Sequence, residues 1–456
     1  MSNIIDLNLT HHFAAKDFLI AFSGGLDSTV LLHLIHSSLK KRREISPPTI
    51  RAIHIHHGLS PNADAWATHC AKFCAQLGVE LIVEYVEIKH KQNLEAEAIN
   101  ARYHAIKRHI SPNEVLLTAH HLNDQSETFF LALKRGSGLA GLSAMARENV
   151  LFEIPILRPL LNYSRETLAN YAETHSLSWI EDESNTNLDF DRNFLRHQIL
   201  PLLRQRWAHF DQSVQRSAQH CATQQQLIDE LLNETYQNHL ELEDHQLMFN
   251  NSSFIDNIGI KNAGKFRRPI NESAFQLLRF STYSPLKQAA LLRRWLAENQ
   301  CEMPSQIQLT QLIQDVVNAK ADAIPQFQLG KKMIRRFRGK LFLTPIFSDL
   351  RKTAIPLKLN EKISLPDNLG ECFAEQNEQG IVFHWQHLSL QLEHTTEPIQ
   401  IRFGFSGKIR TAPQQLRETM KKTWQHCGVP PWQRHRIPLI FYGDQLKGAI
   451  GFFKIY

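Results

Sequence analysis

The segment Ser23-Gly24-Gly25-Leu26-Asp27-Ser28 combines two glycines, two hydroxyls and one acid, a set able to hold a polyanion. Glycines let backbone N–H groups come close to phosphate oxygens. The hydroxyls of Ser23, Ser28 and the adjacent Thr29 add donors, and a helix starting here favours negative charge at its N-terminus. Asp27 is out of place in such a cradle unless a Mg²⁺ ion lies between it and the phosphates, which makes it the candidate metal ligand. A kinase-type loop needs Gly-x-x-x-x-Gly-Lys-Ser/Thr, and no lysine stands in this segment, so transfer of a γ-phosphoryl group is not required. The plain alternative is an ordinary strand-to-helix turn.

A second group is His120-His121-Leu122-Asn123-Asp124-Gln125-Ser126-Glu127-Thr128, in which Asn123 is placed to cap a helix. Asp124 and Glu127 then share one face of its first turn and are able to grip a cation together. Acids also favour helix N-termini with no ligand present. Further along stand Arg135-Gly136-Ser137-Gly138-Leu139-Ala140-Gly141-Leu142, Asp182-x-Ser184-Asn185 and Arg192-Asn193-x-x-Arg196. His54, His56 and His57 have no cysteine or carboxylate beside them at ligand spacing, so no transition-metal site is expected there. Cys70 and Cys74 fall on the apolar face of a helix, where packing is the expected role.

The elements that must position these residues alternate in period. Phe18–Phe22, Ile50–His56, Val79–Ile88 and Val115–Ala119 read as strands. Ser28–Leu39, the Trp66–Leu77 stretch ending at Gly78, Leu94–His109 and Asp124–Lys134 read as helices. This order predicts an α/β N-terminal domain built on a doubly wound parallel sheet, with the glycine loop at the carboxyl edge of its first strand, where ligands of such sheets bind. Arg158-Pro159-Leu160 and a Ser164-capped helix with Leu168, Tyr171 and Ala172 on one face extend that domain.

From Trp207 to Leu240 the chain is polar, glutamine-rich and free of Gly and Pro, as a long joining helix would be. Pro285 opens a helix over Leu286–Leu296 in a helical middle domain that ends in the basic stretch Lys331–Lys340. Turn clusters at Pro366-Asp367-Asn368 and Asn377–Gly380 mark a small α+β C-terminal domain. The expected division is 1–215, 216–350 and 351–456, in line with roughly three domains for a chain of 456 residues. Hydrophobic residues make up 43% and charged residues 21%, an ordinary globular composition. No apolar run approaches the ~20 residues of a membrane span, and Met1–Thr10 lacks the basic start of a secretory signal, so a cytoplasmic location is expected. Six dispersed cysteines argue against a disulfide framework.

The first segment resembles the signature of the ATP pyrophosphatase superfamily, whose members split ATP into AMP and pyrophosphate while adenylating a substrate. That resemblance implies ATP as cofactor with Mg²⁺, and ATP-binding roles for Ser23, Gly24, Gly25, Leu26, Asp27 and Ser28. His57, in a stretch Ile53–Leu59 similar to the nucleotide-side loop, joins them. Within the superfamily, the acidic motif followed by Gly-Ser-Gly-x-x-Gly-Leu resembles the tRNA(Ile)-lysidine synthetases. The chain departs from that pattern at Asn123, where the family has aspartate. The resemblance implies that Asp27, Asp124, Glu127 and Arg192 are catalytic and that Arg102, Asp124, Glu127 and Arg192 bind free L-lysine. An acid near the lysine amine, Asp124 or Glu127, is the expected proton acceptor. Gly428–Leu439 also resembles the C-terminal domain of the long form of this family.

With this in hand, two basic stretches become candidate RNA surfaces. Lys331, Lys332, Arg335 and Arg336 lie in the first. From Arg402 to Arg436 eight basic residues, among them Lys421, Lys422, Arg434 and Arg436, face the single acid Glu418, with Trp424 and Trp432 as expected stacking surfaces. The expected partner is a CAU-anticodon tRNA(Ile), whose cytidine would become lysidine and change AUG decoding to AUA. No membrane partner is expected, and the oligomeric state is left open with a homodimer as one arrangement. Two competing readings are a tRNA-thiolating pyrophosphatase, for which the paired Cys-x-x-Cys is missing, and a non-catalytic RNA-binding protein with a relic loop.

Overall fold

The apolar run Asp17–Ala21 forms strand β1, and its alternation feeds two cores. Phe18 and Ile20 enter one core with Val30, Leu117 and Leu168, whereas Leu19 enters another with Ile53, Tyr103 and Ile106. A strand buried on both faces belongs in the middle of a parallel sheet covered by helices on each side. That is its place in this computed structural model, which describes residues 17–41, 48–58, 60–86, 94–240, 274–320 and 323–456. Three sequence readings lie outside the described residues: Met1–Thr10, Leu59 and the strand end Glu87–Ile88.

Helix α1 (Leu26–Lys41) follows β1, then come β2 (Ile50–His56), α2 (Ala63–Leu77), β3 (Glu80–Tyr85), α3 (Leu94–His109), β4 (Glu114–Leu117) and α4 (Leu122–Lys134). A short helix α5 (Leu139–Leu142), strands β5 (Glu148–Leu151) and β6 (Ile154–Leu157) and helix α6 (Arg165–Thr174) complete the sheet layer. The strand order is β3-β2-β1-β4-β6-β5, parallel throughout except for the edge strand β5, which runs antiparallel to β6. The winding reverses between β1 and β4, so the loops leaving these two neighbours open into one crevice. Gly78 ends α2 in the left-handed conformation at φ 68°, and the Ser164 hydroxyl accepts from the Thr167 amide to cap α6.

Asp191–Phe194 (α7), a π-helical turn over Leu195–Ile199 and Leu200–Arg206 (α8) follow one another directly, and α9 (Phe210–Gln237) is the long polar helix. The chain divides into two compact units at Ile228/Asp229. The change therefore falls inside α9 and not at residue 215, because Val214 and Ala218 are buried near its start while Tyr236 enters the core of the second unit.

In the second unit, Ser284 caps a helix over Pro285–Glu298 and a second helix runs over Gln306–Leu312. Both pack on a four-stranded antiparallel sheet of β7 (Ala274–Gln276), β8 (Gln326–Leu329), β9 (Lys332–Phe337) and β10 (Lys340–Pro345), in the order β7-β10-β9-β8. The basic stretch 331–340 is thus a hairpin. The remaining residues form five-stranded, four-stranded and two-stranded antiparallel sheets and a short helix over Met420–His426, with a core that includes Trp385, Phe383, Phe441 and Trp424. The expected turns fall between strands there, with Asp367 and Asn368 at φ 55° and 57° and Gly380 at φ 140°.

Candidate active site

The loop between β1 and α1 is folded by its own hydroxyls. Ser28 Oγ lies 3.0 Å from Ser23 Oγ and donates to the Gly25 carbonyl at 3.0 Å, while Thr29 Oγ1 donates to the Gly24 carbonyl at 3.3 Å. Thr29 is fully buried, so its hydroxyl builds the loop. Gly24 holds φ 84°, and a Cβ there would meet Ile180 Cδ1 at 2.8 Å and Cys70 Sγ at 2.9 Å. Only glycine fits both the conformation and the space. Ile180 also donates its N–H to the Gly24 carbonyl at 2.9 Å, which ties the segment after α6 to the loop.

Across the crevice, α4 is capped by His121 and not by Asn123: the His121 ring accepts from the Asp124 amide, and the Asp124 carboxylate accepts from the His121 amide at 3.0 Å. Asn123 instead donates to Asp211 Oδ2 at 3.1 Å and accepts from the Arg165 amide at 2.8 Å. Asp211 is already held by Arg204 at 2.7 and 3.0 Å and by the Ser126 hydroxyl at 2.5 Å. An aspartate at 123 would face the Asp211 carboxylate, which gives a local reason for asparagine in this chain.

Asp124 and Glu127 are brought together, buried, beneath two arginines. Arg192 Nε reaches Glu127 at 2.8 Å, and Arg196 reaches Glu127 at 2.6 and 2.9 Å and Asp124 at 3.2 Å. Arg192 lies on α7 and Arg196 on the π-helical turn four residues later, so both point to one face. Burial pushes the Asp124 carboxyl up, but His121, Arg192 and the His121 amide more than offset this, and its pKa lies below the ordinary carboxylate range. Such a group orients a cation well.

His121 joins the two loops. Its Nε2 lies 3.6 Å from Asp27 Oδ2 and its Nδ1 3.5 Å from Asp124 Oδ2. Although burial lowers its pKa, these acids dominate and raise it. The other Asp27 oxygen, Oδ1, is buried without a hydrogen-bond partner among the described residues. An orphaned carboxylate oxygen beside an anion cradle fits a divalent cation bridging to phosphate.

Among the neighbouring histidines, His54 Nδ1 meets the Phe22 carbonyl at 3.0 Å and His56 Nε2 meets Asp64 at 3.0 Å. His57 keeps a buried Nδ1 without a partner, and burial, with Arg102, His54 and His56 nearby, pushes its pKa down to about 4. Arg102 is exposed beside His57, and no hydrogen bond or ion pair joins it to Asp124 or Glu127 among the described residues.

Three family models match the chain in order: a PP-loop domain over residues 2–203, a TilS substrate binding domain over 275–342 and a TilS substrate C-terminal domain over 399–455. The tRNA(Ile)-lysidine synthase of Haemophilus influenzae (strain PittEE) is 54% identical over 97% of this chain and 96% of its own length. The chain belongs to the tRNA(Ile)-lysidine synthase family. The synthases of Histophilus somni (strain 129Pt), 49% identical over 95% of this chain and 94% of their own, and of Serratia proteamaculans (strain 568), 44% identical over 96% and 92%, extend the match across nearly the full length. Neither competing reading, thiolating enzyme or relic loop, is favoured by these relatives.

Within this family frame the residues with no role assigned from sequence are Arg196, His121 and Ile180. The spacing Arg192-x-x-x-Arg196 carried a signal for the first, since residues four apart share a helix face. Nothing in the sequence pointed to Ile180.

The basic candidates in the second unit divide sharply. Lys331, Lys421 and Lys422 are exposed, the last 3.7 Å from Glu418. Lys332 donates to the Asn299 carbonyl at 2.6 Å, and Arg335 contacts Thr344 at 3.0 Å and lies over the Trp432 ring. Arg336 donates to the carbonyls of Val317, Ala319 and Lys320, closing a helical end. Arg436 is buried, ion-paired with Asp367 and stacked over Phe347 at 4.0 Å, so it holds the fold. Trp424 and Trp432 are buried in cores and offer no stacking surface, a correction to the sequence reading. Among the described residues no helix is long and apolar enough to cross a membrane.

Proposed function

We propose that this chain joins free L-lysine to the anticodon cytidine of a CAU-anticodon tRNA(Ile) in the bacterial cytoplasm, consuming ATP and giving lysidine, AMP and pyrophosphate. The cytidine C2 oxygen attacks the α-phosphorus, the bond to the bridging oxygen of the β-phosphate breaks, and pyrophosphate leaves. The lysine amine nitrogen then attacks C2, the C2–O bond breaks, and AMP departs with that oxygen while the amine gives up a proton.

The observation that carries this reading is the pairing of a phosphate cradle with a buried acid pair across one crevice, bridged by His121 at 3.6 and 3.5 Å. Ser23, Gly24, Gly25 and Ser28 would hold the departing phosphates against the α1 N-terminus. His57, neutral at physiological pH, has a free buried ring nitrogen suited to the nucleotide. Asp27, with phosphate oxygens, would hold a Mg²⁺ ion, which neutralises charge on the pyrophosphate. Asp124 and Glu127 keep unused lone pairs for the ammonium group of lysine, since each carboxylate oxygen has two. Arg192 and Arg196 fix those carboxylates, and Arg192 would also meet the lysine carboxylate.

Incubation with ATP, isotopically labelled lysine and unmodified tRNA(Ile) tests this. The expected result is label in the tRNA, one AMP per lysine; unlabelled tRNA, or release of ADP, would contradict it.

A further inference from the structure

In the second unit a recess of about 580 Å³ opens between the β9–β10 hairpin, the turn after the 313–317 helical end, and the segment 421–434. Four cations line it: Arg336, which is bound to backbone carbonyls, and the three others Arg338, Lys421 and Arg434; among the described residues no acid does. Phe337, Ile324 and Pro431 give it apolar walls. Among the described residues no carboxylate pairs with any of the three cations; Arg434 Nε donates to the Val429 carbonyl at 3.1 Å and Arg338 to the Gln425 carbonyl at 3.0 Å. Arg434 is only 9% exposed. Burial, and the like charge of Arg338, push its pKa down.

The hairpin adds an independent observation. Arg338 and Gly339 hold φ 48° and 72°, the two-residue turn that favours Asn, Asp or Gly in its first place. A long cationic side chain is held there at a backbone cost, over the Phe337 ring at 5.3 Å. Arg336, bound to three carbonyls, keeps the base of the hairpin fixed against the helical end.

We propose that this recess receives one unpaired nucleotide of RNA, its phosphate on Lys421 and Arg434 and its base against Phe337 and the Arg338 guanidinium. A bare phosphate would leave the apolar walls unused, and a base stacked within a duplex cannot enter a concave site of this size. The inference rests on the reading that the chain acts on tRNA.

Fluorescence anisotropy with labelled tRNA(Ile), using the full chain, tests it. Arg338→Asn suits the turn better than arginine and Lys421→Gln alters an exposed residue, so neither variant should unfold; thermal melting checks this. Each should weaken tRNA binding by roughly tenfold, and Lys421→Gln should also reduce the salt dependence by about one phosphate contact, whereas Lys352→Gln, an exposed lysine of the same unit, should do neither. Equal loss in all three variants, or loss in none, would overturn the proposal while leaving lysine incorporation by the wild type as a separate test of function. If ATP bound with a stoichiometry of two that fell to one in Lys421→Gln, the occupant would be a free nucleotide and the RNA assignment would fail.

Discussion

The two units treat charge in opposite ways. Around the crevice of the first, acids are buried and clamped by arginines: Glu127 accepts from both Arg192 and Arg196, and Asp211 takes Arg204, Ser126 and Asn123. In the second, a basic sequence leaves few available cations, because Arg336, Lys332 and Arg436 are engaged by carbonyls or by Asp367. The difference teaches that charge counted along a chain is not charge offered to a ligand. The first unit builds chemistry from paired charges, and the second exposes a small unpaired set.

The largest effect should come from the cradle. Gly24→Val, which drives a Cβ into Ile180 and Cys70, and Asp27→Ala should each cut ATP-dependent pyrophosphate release on the order of a hundredfold or more while tRNA affinity holds. Loss of tRNA affinity in parallel would break the separation of roles between the units.

Clamped charges should next appear as stability. Glu127→Ala leaves Arg192 and Arg196 with Asp124 as their remaining carboxylate, and Arg436→Gln leaves Asp367 with only Ser348, each costing about 2–4 kcal/mol in denaturant unfolding, below the fully buried limit where solvent reaches a partner. If Arg436→Gln instead left stability intact and weakened tRNA binding, the view of Arg436 as a folding residue would be wrong.

Acid should weaken the first unit in a defined window. His57 and His120 are pushed down to about 4 chiefly by burial, below the ordinary 6.5 of the unfolded chain. The unfolded chain therefore takes up protons first, so stability is full above pH 6.5 and falls as pH drops through 4. His120→Gln should lose less stability than wild type between pH 7 and pH 4.5, measured by urea unfolding at each pH.

Smaller still, Asn123→Asp sets a carboxylate against Asp211 and should cost about 1 kcal/mol, visible as a lowered Tm. Lys422→Gln, an exposed lysine beside Glu418, should change tRNA affinity by about twofold at most.

Much of the first unit was legible because its signals are local. Strand-loop-helix order, two glycines and the Gly78 and Ser164 caps act over a few residues, and all appear where periodicity and turn chemistry put them. What escaped was partnership at a distance. Asn123 looked like a cap because it stands beside a helix start, yet its partner is 88 residues away; Arg436 looked like an RNA contact, yet its acid lies 69 residues away. Trp432 reads as a stacking platform among cations until Phe337 and Phe342 close over it. The clamp on Glu127 was half visible, since the arginine spacing was in the sequence but the π-helical turn that aims Arg196 was not.

The most direct test of the central claim is to follow the fate of ATP on tRNA(Ile) when lysine is withheld. A cradle for the departing phosphates, separate from an acid pair for the amine, predicts one pyrophosphate released per tRNA, AMP retained on the RNA, and discharge of that AMP only when lysine is added. Pyrophosphate release that waits for lysine, or AMP that never attaches to the tRNA, would contradict it.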